Sequence, residues 1–228
     1  WQPGERVKKM RNGCLPEEGR VFVFVRVSPS FPILPLSSST QGLKFDVVVS
    51  KFDENLDKSQ FVGGADYAQA TATHKAMEVA TRMEKEERLP FMVIGADTVV
   101  EAPDGSIMEK PKDAAEALRM LLSLQGITHQ VHTGVGVVFP DASQPGKRLI
   151  KSFSETTYVT FASLEEAEML AYIKTGEPFD KAGGYGIQGP AGAFVSSLTG
   201  CYFNVMGFPV HKFANIVSDM IKDGTIKL

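Results

Sequence analysis

The chain of 228 residues is 43% hydrophobic and 22% charged, ordinary for a soluble globular protein and long enough for one large domain or two small lobes. A net charge of −3 leaves no basic footprint and argues against a nucleic-acid polymer as partner. Cys14 and Cys201 are too few for a disulfide framework, and the longest apolar run, residues 21–25, is too short to span a bilayer, so a reducing, cytoplasmic setting with no membrane partner is expected.

Residues 1–20 mix Gly, Pro and charge without periodicity and are expected to be disordered or loosely attached to a single domain over 21–228. The run 21–27 is β-branched and aromatic and predicts a strand. Prolines at 29, 32 and 35 exclude a regular helix from 28 to 41. A second strand, 43–50, runs into Asp53-Glu54. Residues 65–87 predict the longest helix, on which Ala68, Ala72, Val79, Ala80 and Met83 form a narrow buried face of small residues. Lys75 projects from that stripe. Its amine either snorkels to water or enters a cleft, and spacing does not choose between them.

The apolar run 91–94 predicts a buried strand, followed by two small residues and then Asp97-Thr98. Asp97 is thus expected at the strand's carboxyl end, where open α/β sheets bind ligands and where a turn-capping acid is the alternative. Residues 102–105 predict a turn and 106–109 its return strand. Asp113 with Glu116 opens a helix over 114–125 that Gly126 stops. The β-rich segments 130–139 and 149–161 predict a hairpin. Ser163 with Glu166 opens a further helix ending at Gly176. Short strands are expected at 193–195 and 201–205. Pro209 then begins a last helix striped by Val210, Phe213, Val217 and Ile221.

Gly184-x-Gly186-x-x-Gly189 matches a dinucleotide fingerprint, but no clean strand precedes it and Pro190 interrupts any helix after it, which excludes a Rossmann site. Glycines at 183, 184, 186, 189 and 192 either admit a ligand to the backbone or simply make a turn. His129 and His132 lie three apart on a predicted strand, face opposite sides, and read as ordinary strand histidines. Cys201 has no nearby His and is not read as a nucleophile. The acids Glu54, Asp97 and Asp180 and the lysines Lys75, Lys110 and Lys181 supply the parts that phosphoryl or pyrophosphate transfer needs. Carboxylates can hold a cation or activate water, and lysines can neutralise phosphate oxygens.

Ile94-Gly-Ala-Asp-Thr98, Glu109-Lys-Pro111 and Asp180-Lys-Ala-Gly-Gly-Tyr-Gly-Ile-Gln-Gly189 resemble the signature blocks of the Maf family. So do the Lys75-Ala76 helix, Thr133-Gly134-Val135 and Asn204-Val-Met-Gly-Phe-Pro209. The resemblance runs in order from about residue 42 to the final helix. It implies a house-cleaning nucleoside triphosphate pyrophosphatase of α/β fold. Its elongated mixed β-sheet would be flanked by helices, with two lobes about a central nucleotide cleft as in inosine triphosphatases. It further implies a divalent metal cation, Mg or Mn, and a possible homodimer. Asp97 falls on the family's proton acceptor and, with Glu54, on its metal site. Lys75 and Lys110 fall on its catalytic lysines, and Lys181 and Ser28 on phosphate-binding positions. Thr98 and Gln188 fall where the family reads the base, in the pattern of its dTTP/UTP subgroup.

One departure stands out. The family's Ser-x-Ser-Pro-Arg-Arg loop survives here as Ser28-Pro29, with Ser30 and Phe31 in place of the arginines. A lost guanidinium pair weakens the grip on phosphate, so a nucleotide-binding module with impaired catalysis is the alternative reading.

Overall fold

The computed structural model describes residues 20–24 (as backbone), 46–87, 90–141, 144 and 146–226. The expectations for residues 1–19 and for 28–41, Ser28 included, lie outside them. The described strands are β1 (Arg20–Phe24), β2 (Asp46–Val49), β3 (Met92–Glu101), β4 (Ile107–Met108), β5 (Thr128–Pro140), β6 (Arg148–Phe161) and β7 (Val195–Thr199). They form one sheet in the order β2-β1-β3-β5-β6-β7, with β4 also beside β3. The α/β class with flanking helices is as expected. The mixed arrangement narrows, among the described strands, to a sheet antiparallel at every pairing.

One face of the sheet carries α1 (Gly64–Lys85), and small residues let it sit close. Ala68, Ala72 and Ala76 are fully buried against the strands. Opposite them stand Gly95 on β3 and Gly134 and Gly136 on β5. A Cβ on Gly134 would lie 2.2 Å from the Ala68 backbone, and one on Gly95 2.4 Å from the Ala72 carbonyl oxygen. Helix and strand backbones are therefore almost in contact, a distance only glycine allows.

The other face carries two separate cores. Met92 and Ile94 pack with Val135, Val137 and Phe213 of α5 (Val210–Lys222). Val100 and Ala102 pack with Leu121 of α2 (Ala114–Leu124), Met169 of α3 (Glu166–Ile173), and Phe161. Thr98 lies between the two, partly exposed. Among the described residues no helix is long and apolar enough to cross a membrane.

Five local expectations change, one of them the strand expected at 193–195, which lies instead at β7 behind a 3-10 turn over Pro190–Phe194. β3 runs on through Asp97 to Glu101, because Gly95 is small to admit α1 and not to end the strand, while Ala96 faces the α5 core. Residues 202–205 form one helical turn, α4 (Tyr202–Val205), in place of a strand, pinned by the Asn204 amide donating to the Val131 carbonyl at 2.9 Å. The capping box of α3 is Glu165 with Glu168, two residues later than Ser163 with Glu166. The buried stripe of α5 closes with Met220, and Ile221 is only partly covered.

Candidate active site

Lys75 is a fully buried charge held by two carboxylates. Its side chain is 0% exposed, its Nζ 2.7 Å from Asp97 Oδ1 and 2.8 Å from Glu54 Oε2. Burial disfavours the ammonium, but the charges of Asp97 and Glu54 outweigh it and hold the Lys75 pKa above its ordinary value. The small-residue packing of α1 explains the meeting. Gly134 is the β5 partner of Asp97, and with Gly95 it leaves a flat floor across which Lys75 reaches the strand. The lysine therefore neither snorkels nor enters open space. It clamps two carboxylates.

Glu54 reaches this point on a loop tied to α1 along its length. Ser50 Oγ and the Lys51 N–H donate to Glu78, at 3.1 and 2.9 Å, and the Phe52 ring stacks on His74 at 5.0 Å. The Tyr67 hydroxyl donates to Glu109 Oε1 at 2.6 Å and lies 3.4 Å from the Glu54 carbonyl oxygen. Lys58 completes the group, 3.0 Å from the other Glu109 oxygen. Burial first, then the neighbouring carboxylates of Glu109 and Asp97, push the Tyr67 pKa up, so the phenol stays a donor.

The sheet itself opens here. On the edge of β3 away from β5, β1 pairs with residues 92–95 and β4 with residues 100–101. Residues 96–99 have no described strand partner on that edge. Side chains alternate along a strand, so Asp97 faces α1 while Thr98 faces the gap between the two cores. A ligand entering at this break can touch both.

On the Thr98 face, Thr98 Oγ1 is 2.9 Å from Thr133 Oγ1, and Thr133 donates to the Asn204 carbonyl at 2.8 Å. The glycine-rich segment lies on this side, with Gly183 against Val100 and its N–H donating to the Glu109 carbonyl at 3.0 Å. Its glycines serve the protein's own packing. A Cβ on Gly186 or Gly189 would strike the Glu177 carboxylate, and one on Gly192 the Ile187 carbonyl oxygen. Gln188 is exposed on the turn that follows. Lys181 is partly exposed and pairs with Asp180 at 2.8 Å, and Lys110 is partly buried just past β4. The structure thus brings Glu54, Lys75 and Asp97 into direct contact. For Lys110, Lys181, Thr98 and Gln188 no contact with that triad is described. The two strand histidines face opposite sides, as alternation predicts: His129 meets the Tyr185 hydroxyl at 2.8 Å, and His132 lies beside Glu101 at 3.3 Å.

The sequence profile of Maf-like proteins matches residues 36–220. The chain belongs to the Maf family. It is 47% identical over 179 residues to a human protein described as "Probable bifunctional dTTP/UTP pyrophosphatase/methyltransferase protein", a match covering 77% of this chain and 28% of the human one. It is 42% identical over 177 residues to a dTTP/UTP pyrophosphatase of Clostridium beijerinckii, covering 77% and 88% of the two chains. With a dTTP/UTP pyrophosphatase of Chlorobium phaeovibrioides it shares 45% over 172 residues, covering 75% and 83%.

The Maf blocks are therefore not a scatter of motifs. They gather about one strand, β3, where its described outer pairing passes from β1 to β4. Sequence reasoning missed Tyr67, and placed Glu109 and Thr133 in resembled blocks without giving either a role. Tyr67, Thr71 and Lys75 recur at intervals of four, which puts all three on one helix face, and that spacing could have found Tyr67.

Among the described residues, no group of three or more His, Cys, Asp or Glu is arranged to hold a metal ion. Two carboxylates around a lysine still suit a hard cation such as Mg²⁺, which commonly takes one or two protein carboxylates and completes its shell with water and substrate phosphate.

Proposed function

We propose that this Maf chain hydrolyses a nucleoside triphosphate, dTTP or UTP, to the monophosphate and pyrophosphate. The observation that carries this reading is the buried Lys75 ammonium clamped between Asp97 and Glu54 where β3 passes from β1 to β4. The likeness to bacterial proteins named dTTP/UTP pyrophosphatases supports it.

In this reading Asp97 accepts the proton of the attacking water, and Lys75 holds Asp97 and Glu54 at a fixed spacing. Glu54 and Asp97 would hold a divalent cation, Mg²⁺ or Mn²⁺, which when bound neutralises phosphate charge and makes water more acidic. Lys110 and Lys181 neutralise the polyphosphate from the rim. Thr98 and Gln188 address the base across the sheet. The enzyme would work in the cytoplasm, where its substrates are, and as a homodimer if it follows the family.

A second reading, a nucleotide-binding module with little turnover, rests on Ser30 and Phe31 standing where the resembled loop has arginines. Pyrophosphate release over a nucleotide panel, with Mg²⁺ and with EDTA, alongside calorimetric binding, separates the two. Metal-dependent release from UTP and dTTP supports the enzyme. Binding without release supports the module, and neither event overturns both.

A further inference from the structure

The polar cluster on the Thr98 face has a direction. Thr133 is fully buried, and its hydroxyl lies 2.8 Å from the Asn204 carbonyl oxygen. A carbonyl only accepts and a threonine hydroxyl has one proton, so the Thr133 proton is committed to Asn204. The 2.9 Å contact between the Thr98 and Thr133 hydroxyls must then use the proton of Thr98. Asn204 cannot turn to change this. Its side-chain amide donates to the Val131 carbonyl at 2.9 Å and to Thr157 Oγ1 at 3.0 Å, and its backbone carbonyl, the acceptor of Thr133, also accepts the Gly207 N–H at 2.9 Å. The relay from Thr98 through Thr133 to Asn204 leaves Thr98 with lone pairs alone to offer outward.

Thr98 is also kept open. Gly207 has φ +102, and a Cβ built there would lie 3.5 Å from Thr98 Oγ1, so a longer side chain would cover the hydroxyl. The partly exposed Thr98 sits between two apolar cores, a setting suited to a flat base.

We infer that Thr133 sets the specificity of this cleft by making Thr98 an obligate acceptor, matched to a ring N–H and mismatched to a ring nitrogen that itself accepts. This rests on a nucleotide occupying the cleft, as proposed above. Uracil and thymine present an N3–H donor, whereas cytosine presents an N3 lone pair. Thr98 thus favours UTP and dTTP over CTP because a buried neighbour has oriented its proton inward.

The test compares kcat/KM for UTP and CTP in the native chain, Thr133→Val and Thr133→Ser, with Kd ratios from calorimetry replacing kinetics if turnover is slow. Valine keeps the shape and releases the Thr98 proton, which can then be donated to cytosine, so the UTP:CTP preference narrows about tenfold. Serine preserves the relay and the preference. If Thr133→Val does not fold, the native chain is tested with UTP methylated at N3, which should lose at least about tenfold against UTP. An unchanged UTP:CTP ratio in folded Thr133→Val, or full acceptance of the N3-methylated nucleotide, overturns the inference alone. A native chain that neither binds nor hydrolyses UTP or CTP overturns the nucleotide reading and this inference with it.

Discussion

Asp97 and Thr98 are neighbours on β3, yet one holds the Lys75 ammonium at 2.7 Å on the α1 face and the other the Thr133 hydroxyl at 2.9 Å on the opposite face. A strand's alternation ordinarily forbids adjacent residues from serving one ligand. Here residues 96–99 have no described strand partner on their outer edge, so a ligand entering there would reach both. Charge-handling and shape-reading groups can thus stand on separate faces of one strand.

Asp97→Asn keeps the side-chain shape and removes the base, so pyrophosphate release should fall at least ~100-fold in a folded protein. Lys75→Met leaves Asp97 buried without the ammonium and should cost about 3–5 kcal/mol by urea unfolding. Combining the two variants removes both charges and should recover part of that cost. Additive losses, within ~0.5 kcal/mol, would mean that the pair is not energetically coupled.

Gly134→Ala tests the close approach of α1. Its Cβ would lie 2.2 Å from the Ala68 backbone, so helix or strand must move. A loss of about 3 kcal/mol in stability is expected, at the upper end for overpacking, with activity falling as Lys75 is lifted from Asp97. Gly105→Ala is the control: at φ +82 with open space around it, it should cost about 1 kcal/mol and leave activity unaltered. Equal costs for the two would remove the packing argument.

Periodicity made most of the architecture legible. β-rich composition on either side of a turn gave β5 and β6 within a few residues, and the small-residue stripe gave α1 with its buried face. What could not be read was the reason for smallness. Gly95-Ala96 looked like the end of a strand, when Gly95 is small because α1 lies on it. Cys201-Tyr-Phe-Asn-Val has strand-like residues, but the buried Asn204 amide, with partners 73 and 47 residues away, fixes a helical turn. Long-range polar partners of that kind leave no local period. For the same reason Glu54, on an irregular loop, could be assigned only by resemblance, and its contact with Lys75 only by structure.

His129 predicts a pH dependence of stability. Burial lowers its pKa from an ordinary 6.5 to about 4. As pH falls from 6.5 toward 4, the unfolded chain takes up the proton and the folded one resists it, so stability is full above that window and is lost through it. His132, lowered by burial against the opposing charge of Glu101, acts in the same direction. Urea unfolding should show His129 contributing a loss of about 2 kcal/mol between pH 7 and pH 5, which His129→Phe should abolish. A variant with the same slope as the native chain would mean that His129 is not held neutral by the fold.

Tyr67 offers the last test, because its hydroxyl donates to the Glu109 carboxylate at 2.6 Å and lies 3.4 Å from the backbone carbonyl of Glu54, between the two. Tyr67→Phe keeps the ring against Phe61 and removes that link, leaving Glu109 to Lys58 alone. If the link positions Glu54, the Mg²⁺ concentration for half-maximal pyrophosphate release should rise several-fold and kcat should fall about tenfold, while KM for UTP changes little. Cation binding followed by calorimetry should weaken in parallel, and this readout does not depend on turnover. A purely structural role would lower the melting temperature and leave the metal titration of the folded protein where it was. Native metal dependence in Tyr67→Phe would therefore assign Tyr67 to the packing of α1 and leave Glu54 to be held by Lys75 alone.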